Sequence, residues 1–348
     1  MEVLWFCLVA AMIAAYVIFD GFDLGAGIVH LGVARSDEER RQVLRSIGPV
    51  WDGNEVWLLA AGGTLYFAFP ALYAASFSGF YLPLMVVLWL LILRGISIEL
   101  RDHVAGAVWR PLWDVIFTGS SALLAIFFGA ALGNVIRGVP LNASGEFFLP
   151  FWTNFRLGAE LGILDWYTVL VGLLAYFTLT QHGALWLALK LDGPVADRAR
   201  RVARWAWWVV AALTLAVTIA TQLVQLQLWA NLESHPWGFV FPVLAVGGLL
   251  SAGYFAPRRS DRAAFLGSCA YIAGMLASAA FGIFPYVLPS TGGLGPGLTV
   301  YTAATSGYGL KVGLAWWIPG MLLVTGYFVF AYRRLAGRIP RNHSTARA

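Results

Sequence analysis

Apolar runs of about 20 residues recur along the whole chain, each long enough to cross a hydrocarbon core roughly 30 Å thick. Only 12% of the residues are charged, whereas soluble domains average roughly 25%. Because backbone groups in lipid must be paired internally, the runs are predicted to be helices of an all-α integral membrane protein. The nine predicted transmembrane spans are 3–33, 49–70, 76–104, 113–136, 163–189, 205–228, 238–256, 263–287 and 311–332.

Basic residues are distributed unevenly over the connections between these spans. The connections after spans 1, 3, 5 and 7 and the C-terminal tail carry most of the 23 lysines and arginines. The exceptions are Arg94 inside a span and Arg137, Arg156 and Lys311 on the opposite side. Since basic connections stay in the cytoplasm, the N-terminus is predicted to lie outside and the C-terminus in the cytoplasm. This topology explains the net charge of +5, and no nucleic-acid partner is expected.

A weak internal repeat suggests two halves. Asp20-Gly21 in span 1 and Gln181-His182-Gly183 in span 5 lie at similar depths in helices of the same orientation. The repeat predicts two four-helix bundles plus a ninth helix. The predicted divisions are the first bundle with its acidic motifs (1–140), a periplasmic loop (141–162), the second bundle (163–290), a second periplasmic loop (291–310), and the ninth span with a basic cytoplasmic tail (311–348).

Three pairs of acids lie in the first three spans at i, i+3 spacing. The pairs are Asp20 and Asp23, Asp52 and Glu55, and Glu99 and Asp102. This spacing places both members of a pair on one helix face, where they can share a proton, water or a cation. Acids inside a membrane are costly and mark a functional site by default. The set is predicted either to conduct protons or, as the structural alternative, to cap and pair helices inside the bundle.

Arg94 is the basic residue that lies within the predicted spans. Glu99, near Arg94 and Arg101, is expected to have a structural pairing role, whereas Asp52 and Asp20 favour function. The other carboxylates must be protonated, paired to loop arginines or compensated by another chain. The excess of acids over basic residues within the spans predicts an obligate partner subunit.

The histidines and methionines offer no evident metal site. His182 lies well within a span, but no pair of His or Met at matched depth could supply two axial haem ligands. A structural hydrogen bond is therefore the favoured role of His182, and the chain is expected to bind no metal.

Two motifs around the first two acid pairs carry a resemblance to a known family. They are Asp20-Gly21-Phe22-Asp23-Leu24-Gly25 and Gly48-Pro49-Val50-Trp51-Asp52-Gly53-Asn54-Glu55-Val56-Trp57. With these motifs the sequence resembles subunit II of the cytochrome bd-type quinol oxidases. Similar segments follow in family order, including Leu93-Arg94-Gly95, Gly133-Asn134, Arg137-Gly138-Val139-Pro140, Phe284-Pro285 and Leu310-Lys311-Val312.

The resemblance implies a nine-helix, haem-free subunit of a terminal oxidase in the bacterial inner membrane. Its implied partner is a subunit I that carries haems b and d, so that no catalytic residue is expected in this chain. The complete enzyme oxidises quinol and reduces dioxygen to water, and it is electrogenic without pumping. Ubiquinol and menaquinol both stay open as substrates, as do small accessory subunits and a structural quinone or lipid in this chain.

The resemblance also implies roles for single acids. Asp52 and Asp102 resemble positions assigned to a proton route from the cytoplasm, with Asp102 nearer its mouth, and Asp20 and Asp23 resemble a second acidic site proposed for proton conduction. Glu55 completes the predicted proton pathway. A proton-coupled secondary transporter is the alternative function, and it should have interrupted helices around a substrate site at mid-depth.

Overall fold

The computed structural model describes residues 1–158, 160–291 and 295–339, and these residues are mostly helical. The α-helices of the described chain are α1 Glu2–Val33, α2 Asp37–Ile47, α3 Trp51–Ala68, α4 Pro70–Gly79, α5 Tyr81–Leu100, α6 Trp109–Arg137, α7 Trp166–Lys190, α8 Gly193–Val224, α9 Gln227–Ser234, α10 Val240–Phe255, α11 Asp261–Ile283 and α12 Gly307–Arg334. A 3₁₀ turn, Pro236–Phe239, precedes α10, and two short antiparallel strands, β1 Tyr286–Leu288 and β2 Leu298–Thr299, lie between α11 and α12. The predicted all-α class is confirmed. Residues 292–294 of the predicted loop and 340–348 of the predicted tail lie outside the described residues.

Eight of the described helical segments are long and apolar enough to cross a membrane, and there are nine if the bent pair α3–α4 is counted as one broken span. The chain turns by 119° between α3 and α4, where Pro70 opens the new helix and lacks the backbone N–H that would continue the old one. Alone, α3 is less apolar because Asp52, Asn54 and Glu55 lie in its first turns. The prediction of about nine spans is confirmed, and the membrane side of each terminus stays a prediction.

Helix α1 packs against α3, α6, α7 and α11. Where it crosses α7, Gly25 and Gly183 bring the two backbones into contact, and a methyl group on either glycine would overlap the other helix. Small residues at such crossings let transmembrane helices approach closely. The crossing encloses the second half of α1, and every residue from Asp20 to His30 is buried.

Contacts between helices occur within and between the two halves of the chain. Helices α5 and α6 pack together in the first half, as do α7 with α8 and α10 with α11 in the second. The α1–α7 and α6–α7 contacts join the halves. The division into two four-helix bundles with the stated boundaries stays a prediction.

Helix α2 is a short amphipathic helix between α1 and α3. Ser36 caps it, with Glu39 completing a capping box. Val43, Leu44 and Ile47 face inward, so the acidic first turn of α2 is held against the basic connection between α5 and α6.

Candidate functional site

A charged pair between α5 and α1 lies in the interior of the first half. The side chains of Arg94 and Asp20 are both 0% exposed. The guanidinium donates two hydrogen bonds to the carboxylate, one of them 3.0 Å long from Nη1 to Oδ2. This bidentate geometry matches the fork of the guanidinium to both carboxylate oxygens. The pairing offsets part of the cost of burying both charges.

Asp23 lies one turn further along α1 and is linked to α3. The Asn54 side-chain amide donates to Asp23 Oδ2 at 2.7 Å and to the Phe19 carbonyl at 3.3 Å. The Tyr332 hydroxyl of α12 donates in turn to Asn54 Oδ1 at 2.9 Å. Asp23 Oδ1 is buried and has no hydrogen-bond partner among the described residues. Asn54, from the motif at residues 48–57, therefore positions a carboxylate that has one oxygen without a hydrogen-bond partner among the described residues.

Glu55 connects this interior to the surface of α3. Its Oε2 lies 3.8 Å from Arg94 Nη1, and its side chain is 24% exposed. Asp52, one turn earlier, is exposed and forms no hydrogen bond or salt bridge within the described chain. The four carboxylates therefore range from enclosed Asp20 to exposed Asp52, with Arg94 between the two environments.

The other motif residues of α3 pack against neighbouring helices. The Trp51 ring lies against Gly95 of α5, and Trp57 stacks on Phe19 of α1 with ring centroids 6.0 Å apart. Gly53 faces the aromatic side chains of α12. The tryptophans and glycine thus set the position of α3, on which the acids are carried.

A second buried cluster centres on Asp114 of α6, which was not among the predicted site residues. Its side chain is 0% exposed and accepts hydrogen bonds from Arg101 Nε at 2.6 Å and from Arg40 at 2.9 Å. His30 Nε2 lies 2.7 Å from the same carboxylate. An acid inside a predicted span is a sequence signal for a functional residue, and Asp114 lies within the fourth predicted span. It lacks the acidic partner at i, i+3 that marked the other sites.

Arg101 joins this cluster to the surface. It donates to Asp114, to Asp102 Oδ1 at 2.9 Å and to Asp37 Oδ1 at 2.7 Å. Asp102 is 49% exposed and also lies 3.6 Å from Arg110 Nε. Asp102 therefore belongs to a surface network of ion pairs, separate from the Arg94 site.

Two acids of α2 also form ion pairs, Asp37 within this network and Glu39 outside it. Partial burial opposes ionisation of Asp37, but hydrogen bonds from Arg41 and Arg101 outweigh it and lower the pKa of Asp37. Burial likewise opposes ionisation of Glu39, and Arg198 2.6 Å away is the main group that lowers the pKa of Glu39. Ionised carboxylates thus hold α2 to the transmembrane helices.

Among the described residues, Glu99 does not form the predicted pairing with Arg94 or Arg101. Glu99 is exposed and forms no salt bridge within the described residues, because Arg94 pairs with Asp20, and Arg101 pairs with Asp114. Helix geometry supplies the reason: a residue five positions from Arg94 points about 140° away from it.

The buried histidines are engaged by protein groups. His182 Nε2 lies 2.9 Å from the Ile18 carbonyl and Nδ1 lies 2.7 Å from Ser268 Oγ, which confirms its hydrogen-bonding role. His30 is in contact with Asp114. The part of the chain that the structure describes contains no group of three or more His, Cys, Asp or Glu residues placed to hold a metal ion. Both ring nitrogens of His182 are engaged by protein groups, so His182 does not fit the role of an axial haem ligand.

A further buried ion pair, between Arg137 and Asp165, joins the end of α6 to the start of α7. Arg137 also donates to Asn134 Oδ1 at 2.7 Å and to the Gly162 carbonyl at 3.2 Å. Asp165 caps α7 in a capping box with Thr168, and this Asp-x-x-Thr spacing is a sequence signal that could have identified it. Asn134 and Arg137, which belong to the family-like segments, therefore join the end of α6 to the start of α7.

Comparisons with known proteins agree with this architecture. The family model described as cytochrome bd terminal oxidase subunit II matches residues 1–335. Cytochrome bd-I ubiquinol oxidase subunit 2 of Escherichia coli K12 is 30% identical, over 97% of this chain and 95% of the relative. Cytochrome bd ubiquinol oxidase subunit 2 of Bacillus subtilis is also 30% identical, over 89% and 88%. The solved structure of bd oxidase from Geobacillus thermodenitrificans has the same fold, with a TM-score of 0.76 and 20% identity over 96% of this chain and 98% of that chain. The chain therefore belongs to the cytochrome bd terminal oxidase subunit II family.

Proposed function

We propose that this chain is the haem-free subunit of a quinol:oxygen oxidoreductase and supplies part of the proton route used in reducing dioxygen to water. As a subunit II, it is a multi-span bacterial inner-membrane protein that works in a complex with a subunit I. Haems b and d, carried by subunit I in this proposal, supply electron transfer and oxygen reduction. The described residues of this chain hold and move protons.

The observation that supports the proton route is the position of Arg94 between two unequal carboxylates. Asp20 is enclosed and receives two hydrogen bonds from Arg94, whereas Glu55 is partly exposed and lies 3.8 Å from the same guanidinium. A carboxylate that accepts two hydrogen bonds from one guanidinium is held in its ionised form. A carboxylate without such hydrogen bonds can exchange a proton with water. Glu55 is therefore proposed to carry the proton beside the Asp20–Arg94 ion pair.

Asp52 precedes Glu55 by one turn of α3 and extends the row to the exposed face of the helix. An exposed acid on a membrane span needs water or a partner chain beside it. We propose that subunit I covers this face and that the proton passes between the two subunits there. Asp23, with its uncommitted Oδ1, is a further proton-holding position near this row.

Asp102 is proposed to collect protons at the mouth of the route. It is half-exposed and lies in a network that includes Asp37 and three arginines, on the side predicted to be cytoplasmic. Surface water can replace a single lost acid there. Loss of Asp102 should accordingly slow proton uptake less than loss of Asp52.

The test is quinol-driven oxygen consumption per haem, measured with proton uptake in vesicles that contain the complete oxidase. Asp52→Asn and Glu55→Gln should each slow both rates about tenfold or more, because an amide cannot relay a proton, with haem content unchanged. Asp102→Asn should slow them less. Glu99→Gln is the matched control, since Glu99 is an exposed α5 acid without a salt bridge in the described chain. Normal turnover and uptake in Asp52→Asn and Glu55→Gln would contradict the route.

The same variants separate this proposal from a purely structural subunit, whose turnover per assembled haem would not depend on these acids. The family match over residues 1–335 favours an oxidase subunit over the transporter alternative.

A further inference from the structure

We propose that a basic cavity beside α8 binds the phosphate headgroup of an anionic phospholipid. The cavity has a volume of about 250 Å³ and lies apart from both acidic clusters. Its lining residues are Asp197, Arg200, Arg201, Arg204, Ala256, Pro257 and Arg259. The first four belong to α8 at helical spacing, and the last three form the turn between α10 and α11.

Part of the positive charge in this cavity is already neutralised. Arg200 donates to Asp197 at 2.9 Å and to Asp261 at 2.8 Å. Arg259 is 73% exposed and lies 3.5 Å from Asp197. The carboxylates of Asp197 and Asp261 are thus already paired with arginines, and these ion pairs join α8 to the turn between α10 and α11 and to the start of α11.

Arg201 and Arg204 supply the charge that is left over. Both are exposed, and neither forms a hydrogen bond or salt bridge in the part of the chain that the structure describes. The planar guanidinium matches two phosphate oxygens at once, and its weak hydration favours such pairing. The cavity therefore has the surplus charge and the donors that a phosphate group requires.

An apolar groove next to the cavity favours a lipid over a free anion. The groove, of about 520 Å³, is lined by residues that include Trp207, Leu250, Tyr254 and Phe255. Trp207 follows Arg204 by one turn of α8, and Phe255 directly precedes the cavity residue Ala256. A head-and-tail molecule with its phosphate at the arginines could thus lay an acyl chain along the groove.

Contacts within this chain position the side chains of the groove wall. The Trp207 indole donates to the Leu249 carbonyl at 2.8 Å, and Gly253 leaves the space that the ring occupies. Arg258 lies over the Tyr254 ring, 3.5 Å from its centroid. Basic pockets between transmembrane helices at a membrane surface are suited to anionic lipid headgroups. The arginine-lined cavity and the aromatic groove together form one binding site for the phospholipid.

The test uses the complete, delipidated oxidase complex and three probes: phosphatidylglycerol, phosphatidylcholine and inorganic phosphate. Binding is measured by titration with native mass spectrometry. The wild type should bind phosphatidylglycerol far more tightly than either other probe. The double variant Arg201→Gln, Arg204→Gln should weaken phosphatidylglycerol binding about 25-fold, from about fivefold for each arginine. Arg333→Gln, an exposed arginine of α12 outside the cavity, is the control and should leave binding unchanged.

Three results would overturn the proposal. Equal phosphatidylglycerol affinity in the double variant and the wild type would exclude the arginines as the headgroup site. Phosphatidylcholine binding as tight as phosphatidylglycerol would exclude recognition of net negative charge. Inorganic phosphate binding as tight as the lipid would assign the cavity to a small anion. The haem spectrum of each variant complex verifies that the changes, at exposed positions, leave the fold intact.

Discussion

Replacing Asp20 by asparagine leaves the Arg94 guanidinium charged in an enclosed site. Both side chains are 0% exposed, and removing one partner of such a pair costs about 3–5 kcal/mol. Glu55 stays 3.8 Å from Arg94 as a substitute partner, so the expected loss of unfolding free energy is about 3 kcal/mol. Arg94→Gln has no such compensation, because it leaves Asp20 buried without its cation. The expected loss of unfolding free energy in this variant is about 5 kcal/mol.

The double variant Asp20→Asn, Arg94→Gln removes both charges at once. It should cost less than the sum of the two single changes, since no uncompensated charge is left buried. Glu55→Gln is the matched comparison on the same guanidinium. Because Glu55 is partly exposed and not in hydrogen-bond contact, its replacement should cost less than about 1 kcal/mol.

The assay is resistance of the purified complex to denaturing detergent, followed by haem absorbance and by retention of this chain on subunit I. The order of unfolding midpoints is expected to run from Glu55→Gln, the most resistant, through Asp20→Asn to Arg94→Gln. Equal midpoints for Glu55→Gln and Asp20→Asn, or a double variant as unstable as the sum of the singles, would refute a buried pair that acts as one unit.

Two further changes test the network at the start of α6. Asp114→Asn should reduce the amount of assembled complex while leaving turnover per haem unchanged, because it removes a buried partner of Arg101 at a cost of about 3–5 kcal/mol. Oxygen consumption normalised to haem measures this turnover. Slowed turnover in intact complex would contradict the structural role of Asp114. Hydrogen bonds from Arg41 and Arg101 outweigh the burial of Asp37 and lower its pKa, so its stabilising contribution is complete above its ordinary pKa of 3.8 and is lost as the pH falls through the folded value. Thermal midpoints of the wild type and Asp37→Asn should therefore differ at pH 6, approach each other as the pH falls below 3.8, and converge only below the lowered folded pKa. A difference that stays constant with pH would refute this.

Several candidate-site residues could be identified from sequence because they break a local pattern. An acid within an apolar run is visible without any knowledge of the fold, and Asp20, Asp23, Asp52 and Glu55 were found in this way. Asp114 occupies a comparable position in α6, but with no neighbouring acid its role depended on arginines from elsewhere in the chain. Local spacing marks a candidate and does not identify its partners.

The membrane spans and the helical class were determined by the sequence itself, because crossing a hydrocarbon core imposes a length and a composition on each segment. Which charges neutralise one another was decided only by tertiary structure. Arg94 and Asp20 are 74 positions apart, and Asn54 and Asp23 are 31 apart. Their meeting depends on how α1, α3 and α5 pack, and that packing depends on close approaches such as Gly25 against Gly183. A buried charge needs a partner within a few ångströms, and only the folded chain brings residues so distant in sequence that close.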